Sequence, residues 1–148
     1  MKFAKAIVVA AILIAFFSQK LQAQNNGADE IKGIWLTENK DGKVEIYRSG
    51  NMYLGKLIWG KYVMDANGKP NYDVKNPDPK LRTRPLKDLV FLTDLTYENG
   101  KWVDGKAYDS TSGKTYSCSV TIKGKSLYLR GYIGITLLGK TTVWQRLE

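Results

Sequence analysis

Beyond residue 30, apolar and polar residues alternate with a period of two over much of the chain. The clearest stretch is 115–122. Tyr116, Cys118, Val120 and Ile122 fall on one side, and Thr115, Ser117, Ser119 and Thr121 on the other. Successive side chains of an extended backbone point to opposite faces, and β-branched residues suit that backbone, so this stretch reads as a half-buried strand. Further strands are read at 33–37 around Trp35, at 44–47, 52–59, 89–97, 102–108, 127–132 and 141–147. Turn residues separate them: Asp41-Gly42, Ser49-Gly50-Asn51, Asn99-Gly100, Ser112-Gly113 and Lys123-Gly124, with Gly134 and Gly139 bracketing the last connection. Asn-Gly and Asp-Gly are the pairs that tight hairpins select, because their backbone turns match the twist of the flanking strands. No segment after residue 23 shows a helical period, and there is no internal repeat. The expected fold is all-β: an eight-stranded antiparallel up-and-down barrel of the lipocalin-like kind, with a two-sheet sandwich as the alternative. Residues 24–30 are polar and expected to be loose.

Residues 61–88 break this rhythm. They contain all four prolines, Pro70, Pro77, Pro79 and Pro85, and a dense mixture of Lys, Arg and Asp. Connections beyond about 12–15 residues are usually lids, binding loops or disordered segments. A lid or binding loop, an ordered flap over one barrel end, and a disordered segment all remain open at this point.

The first 23 residues differ from everything that follows. Lys2 and Lys5 precede an unbroken apolar run at 6–17, and a more polar stretch leads to Ala23. That is the layout of a secretory signal peptide, with cleavage expected after Ala23. The run is shorter than the about 20 residues a membrane-spanning helix needs. A signal-peptide helix over 1–23 and a single domain over 24–148 are therefore expected, in an exported protein that is periplasmic or secreted. A retained N-terminal anchor is the other reading of the same run.

Removing Lys2, Lys5 and Lys20 lowers the net charge from +9 to +6. A moderately basic surface without a clustered stripe does not point to nucleic acid, although anionic lipid or glycan surfaces fit it. The chain has no histidine, so the commonest general base and metal ligand are both missing. Its single cysteine, Cys118, rules out an intramolecular disulfide and reads as a small buried apolar residue. Residues 134–141 spell a Walker A pattern, but the phosphate device needs a helix after the glycine loop, and the last residues read as a strand. The oxygen-bearing residues in 73–78 lack calcium-loop spacing and read as turn-forming. No cofactor, metal or catalytic constellation is expected.

In a closed barrel the first and last strands pair. Gly33-Ile34-Trp35 opens the first, and Trp144-Gln145-Arg146 ends the last. An arginine stacked on the Trp35 indole seals one end, so Gly33, Trp35, Trp144 and Arg146 are assigned to barrel closure.

Several stretches together resemble the DUF2147 family of exported bacterial proteins. They are Gly33-Ile34-Trp35, Val44-Glu45-Ile46-Tyr47, residues 73–78, Arg84-Pro85-Leu86, residues 102–109, residues 112–116, residues 129–134 and Trp144-Gln145-Arg146. The resemblance implies a lipocalin-like fold and export, and supplies neither ligand nor reaction. The chain departs from it at Lys87-Asp88, where the family carries glycine after Arg-Pro-Leu.

The leading functional expectation is a binding module for a small apolar or amphipathic molecule. An eight-stranded barrel interior holds either packed side chains or one small ligand. Tyr53, Trp59, Tyr108, Tyr116 and Tyr128 are candidates to line it. Asp73, Asn76, Arg82, Arg84, Arg130 and Tyr132 are candidates to close the mouth around a polar head group. The alternative is an envelope interaction protein that docks on a glycan, a membrane surface or another protein through its basic surface or proline-rich flap. An enzyme is the least favoured class, since fold alone does not supply chemistry.

Overall fold

The computed structural model describes residues 27–135 and 138–148; the signal-peptide reading of 1–23 lies outside them. Eight antiparallel strands close into one barrel in sequence order. They are β1 (Gly33–Leu36), β2 (Gly42–Ser49), β3 (Met52–Gly60), β4 (Val90–Glu98), β5 (Lys101–Asp109), β6 (Lys114–Lys123), β7 (Ser126–Tyr132) and β8 (Lys140–Arg146). Closure comes from β1 against β8, where Trp35 pairs with Arg146 and Leu36 with Gln145. The up-and-down order gives the barrel two unlike ends. One carries the tight β2–β3, β4–β5 and β6–β7 turns; the other, the mouth end, carries the long 61–89 connection and the β5–β6 and β7–β8 loops. Lys140 and Thr141 begin a strand, so no helix follows the Walker-like glycines.

Small barrels need local kinks, and here bulges supply them. The β3–β4 register shifts beside Asp94 and the β5–β6 register beside Asp104, and both aspartates adopt left-handed backbone, with φ of 62° and 58°. A further shift sets Lys56 opposite Val90 and Gly55 opposite Leu92, leaving Phe91 as the extra residue. The departure from the family's glycine falls beside another left-handed position, Asp88 at φ 61°, a backbone that Asp tolerates better than most residues.

The tight-turn end is packed solid. Trp35, Val44, Ile46, Tyr53, Leu95 and Val120 are almost completely buried there. The Trp35 indole donates to the Ile31 carbonyl at 2.9 Å, and the Arg146 guanidinium lies 4.1 Å from the Trp35 ring centroid. Arg146 also donates to the Lys32 carbonyl at 2.8 Å. Ile31 is fully buried and ends a short 3-10 turn, Asp29–Ile31. Of the segment 24–30 expected to be loose, residues 24–26 lie outside the described residues, and Asp29 and Glu30 belong to this ordered turn, whose last residue is buried and accepts the Trp35 hydrogen bond. Cys118 is also fully buried, and burial pushes its thiol up to about 12, which makes it inert.

Gly105 shows how tight this packing is. A methyl group there meets Leu95 Cδ2 at 2.5 Å and Cys118 Sγ at 2.7 Å, both on buried side chains that cannot swing out. Gly105→Ala is expected to destabilise the barrel by about 1–3 kcal/mol, the usual range for overpacking. Urea denaturation checks it: an unchanged midpoint contradicts this packing.

Among the described residues, no helix is long and apolar enough to cross a membrane.

Candidate functional site

The other half of the barrel is hollow. A cavity of about 530 Å³ opens at the mouth end between β4 and β8. Phe91, Leu129 and Trp144 form its apolar depth, while Tyr108, Asp109, Tyr116 and Lys140 stand toward the mouth. The register explains the layering. Leu127 pairs with Trp144 and Leu129 with Thr142, so the side chains climb from a packed floor to the Gly131–Lys140 pair at the rim. Phe91 reaches the cavity because the β4 bulge disrupts the local alternation; its ring centroid lies 6.3 Å from that of Trp144. Gly131 leaves room: a methyl group built there meets only Tyr116 Cβ, at 3.9 Å.

Beside the mouth, five of the candidate residues form one polar knot. Asp73 is completely buried. Tyr108 donates its hydroxyl to Asp73 Oδ1 at 2.6 Å, and Asn76 donates to Oδ2 at 2.8 Å. Arg84 completes the set through Nε at 2.9 Å and a second guanidinium nitrogen at 2.8 Å, both to Oδ2. The same guanidinium lies 5.4 Å from the Tyr108 ring centroid, and Arg82 donates to the Asn76 carbonyl at 2.8 Å. Burial by itself pushes the Asp73 carboxyl up, but the hydrogen bonds from Tyr108, Asn76 and Arg84, with the Arg84 charge, outweigh it and hold the group low. Burial and the Asp73 carboxylate together push the Tyr108 hydroxyl up, so it stays a donor. Both carboxylate oxygens are engaged within the protein. The knot therefore fastens the 61–88 flap to β5 and has no spare group for acid–base chemistry.

Short-range bonds order the rest of the flap. Asp78 caps the 3-10 turn Pro79–Leu81 by accepting from the Lys80 amide, and Asn76 Oδ1 accepts from the Asp78 amide. These are the turn-forming uses expected for residues 73–78. A second clamp is steric: at Gly113, φ 73°, a methyl group meets the Lys75 carbonyl oxygen at 2.1 Å. Only glycine lets the β5–β6 turn come this close to the flap. None of the cavity-lining residues belongs to the flap. Of the three readings left open by the sequence, it is an ordered flap, and it packs beside the mouth rather than over it. It meets β4, β5 and Thr115 of β6 along a smaller cleft of about 290 Å³.

The other candidates separate from this knot. Tyr116 lines the cavity. Leu127 and Leu129 of β7 are buried, so alternation places Tyr128 on the outer wall rather than inside the cavity it was expected to line, and Arg130 and Tyr132 on the outer wall rather than closing the mouth. Arg130 donates there to the Thr141 hydroxyl at 3.1 Å. Trp59 is likewise outside, 46% exposed, with the Lys43 ammonium 5.8 Å from its ring centroid, and Tyr53 is packed into the closed end. Trp144, assigned to closure, lines the cavity instead; Gly33, Trp35 and Arg146 do lie together at the closed end. Leu129, Gly131, Lys140 and Thr142 were missed, although they share the strand parity of Leu127 and Trp144. Phe91 carried no such signal, because a bulge hides it.

The comparisons agree with this architecture. The model of the DUF2147 family, described as an uncharacterized protein conserved in bacteria, matches residues 33–146. Among solved structures, the chain is similar to protein HP1028 from the human pathogen Helicobacter pylori, which is described as belonging to the lipocalin family. The two share 31% sequence identity over 80% of this chain and 84% of that one, with a TM-score of 0.69. No curated protein matches the chain. With a family match that runs from the first residue of β1 to the last of β8, the chain belongs to the DUF2147 family and has a lipocalin-like barrel fold.

Proposed function

We propose that this protein is an exported carrier that holds one small apolar or amphipathic molecule inside its barrel. The observation that carries the reading is the one-ended cavity of about 530 Å³, apolar in its depth and polar at its rim. Its volume falls in the range of small-molecule sites, which pair an apolar lining with a few placed polar groups. The apolar part of the ligand packs on Phe91, Leu129 and Trp144, and its polar end meets Lys140 and the Tyr108 and Asp109 rim. The Lys140 ammonium favours a carboxylate or another anionic head. Membership of a lipocalin-like family supports this reading, and the apolar run at 6–17 supports export.

A native mass spectrum of protein purified from its own cell envelope, before and after solvent extraction, tests it. The expected result is a discrete added mass that extraction removes. A bare mass before extraction, together with no uptake of cis-parinaric acid, refutes the carrier reading.

A further inference from the structure

Exposed apolar side chains are unevenly distributed over this barrel. Among the described residues, only Met52 and Leu147 of the exposed large hydrophobic side chains lie at the closed end. The most exposed group sits on the β7–β8 loop beside the cavity mouth: Ile133 is 67% exposed, Ile135 59% and Leu138 80%. Three bare aliphatic side chains clustered on one loop are costly in water unless something covers them. The strands that carry and flank this loop, β6 to β8, are basic. Residues 110–147 contain no Asp or Glu, whereas Lys114, Arg130 and Lys140 stand on the strands at this end. Two carboxylates stand beside them and are engaged within the protein: Asp109, opposite Lys114, accepts from Thr111 and Ser112, and Glu38 accepts from the Val143 amide. An apolar tip with cations behind it matches an anionic lipid surface, where the tip enters the acyl boundary and the cations meet the head groups.

We propose that the mouth end docks on anionic membranes, with Ile133, Ile135 and Leu138 inserted and Lys114, Arg130 and Lys140 on the lipid head groups. Docking in this orientation sets the cavity mouth against the bilayer. It thereby names the source of the ligand in the carrier reading, on which this second role of the site rests: a lipid-derived amphiphile taken directly from the membrane.

Vesicle flotation tests the proposal, using processed protein purified from cells that express the full chain. Vesicles of phosphatidylglycerol and phosphatidylcholine in equal parts are compared with phosphatidylcholine alone. The protein is expected to float with the anionic vesicles and to be released as salt rises. Ile133→Ser/Ile135→Ser/Leu138→Ser is expected to weaken flotation more than about tenfold. Lys114→Glu, at an exposed strand end, is expected to weaken it about fivefold. Flotation unchanged by the serine substitutions, or equal on neutral vesicles, overturns the proposal, as does loss of a dimer rather than of lipid binding in the serine variant. The two readings fail separately. The serine variant leaves the cavity lining intact and keeps its capture of cis-parinaric acid from solution. If the parent protein captures none but floats through this loop on anionic lipid, docking stands and the carrier reading falls.

Discussion

Gly131→Phe is expected to abolish ligand capture while the barrel stays folded. Gly131 is on β7 at the cavity wall, and the only atom near a methyl group placed there is Tyr116 Cβ, at an ordinary contact distance of 3.9 Å. A phenyl ring at this point projects into the cavity and occupies the space above Leu129 and Trp144. An aromatic residue also suits a strand better than glycine does, so the substitution carries no backbone penalty. Affinity for cis-parinaric acid should fall at least about 100-fold, which corresponds to about 2.7 kcal/mol. The melting temperature should hold or rise slightly, as followed by circular dichroism. Gly131→Ala is the matched control: its methyl group makes only an ordinary contact and should leave capture largely intact. Equal capture by the phenylalanine variant and the parent would place the ligand elsewhere.

Asp73→Ala is expected to cost about 2–4 kcal/mol. Removing one member of a buried ion pair is usually worth about 3–5 kcal/mol. The lower range is appropriate because the Arg84 side chain is 33% exposed and regains water. Without the carboxylate, Tyr108, Asn76 and Arg84 lose a shared acceptor and the flap loses its tie to β5. Urea denaturation measures the stability loss. Limited trypsin digestion measures the flap, which should be cut faster at Lys75, Lys80 and Arg82 than in the parent. A flap equally resistant in both proteins would mean that the Gly113–Lys75 approach alone holds it. The pH dependence has a definite sign. The Asp73 carboxyl lies below its ordinary 3.8 in the folded state, so its contribution is complete above that value and disappears as pH falls through the depressed one. The parent flap should therefore loosen only in strong acid. Asp73→Asn, which cannot ionise, should remove this part of the acid dependence. Asp109 leaves a remainder, because hydrogen bonds from Ser112 and Thr111 outweigh burial and hold its carboxyl low as well.

All eight strands were legible because apolar runs, alternating with a period of two most clearly on β6, are separated mostly by turns with recognisable residues. The closing contact of Trp35 with Arg146 was legible from topology, since a closed meander brings its first and last strands together. Side-chain direction was legible on β7 too. Leu127 and Leu129 fix the inner face, so Tyr128, Arg130 and Tyr132 face outward, and assigning Arg130 and Tyr132 to the mouth by family motif overrode that parity. Other features needed coordinates. Asp73 and Tyr108 lie 35 residues apart, and nothing in the local pattern of either names the other. Phe91 enters the cavity through a register shift that adds one residue to β4 and leaves no mark in composition. Whether the barrel is hollow depends on how large side chains meet across it. Gly105 stands where the packing is closed and Gly131 where it is open, and one letter of sequence does not distinguish them.

The packed floor makes the cavity a cul-de-sac. Trp35, Ile46 and Val120 block the far end, so a bound molecule leaves by the route it used to arrive. Nothing can push it through from behind, and a newcomer must wait until the seat is vacant. For such a carrier, dissociation of a labelled occupant should proceed at one fixed rate however much unlabelled competitor is added. That rate would limit how often each copy of the protein makes a delivery.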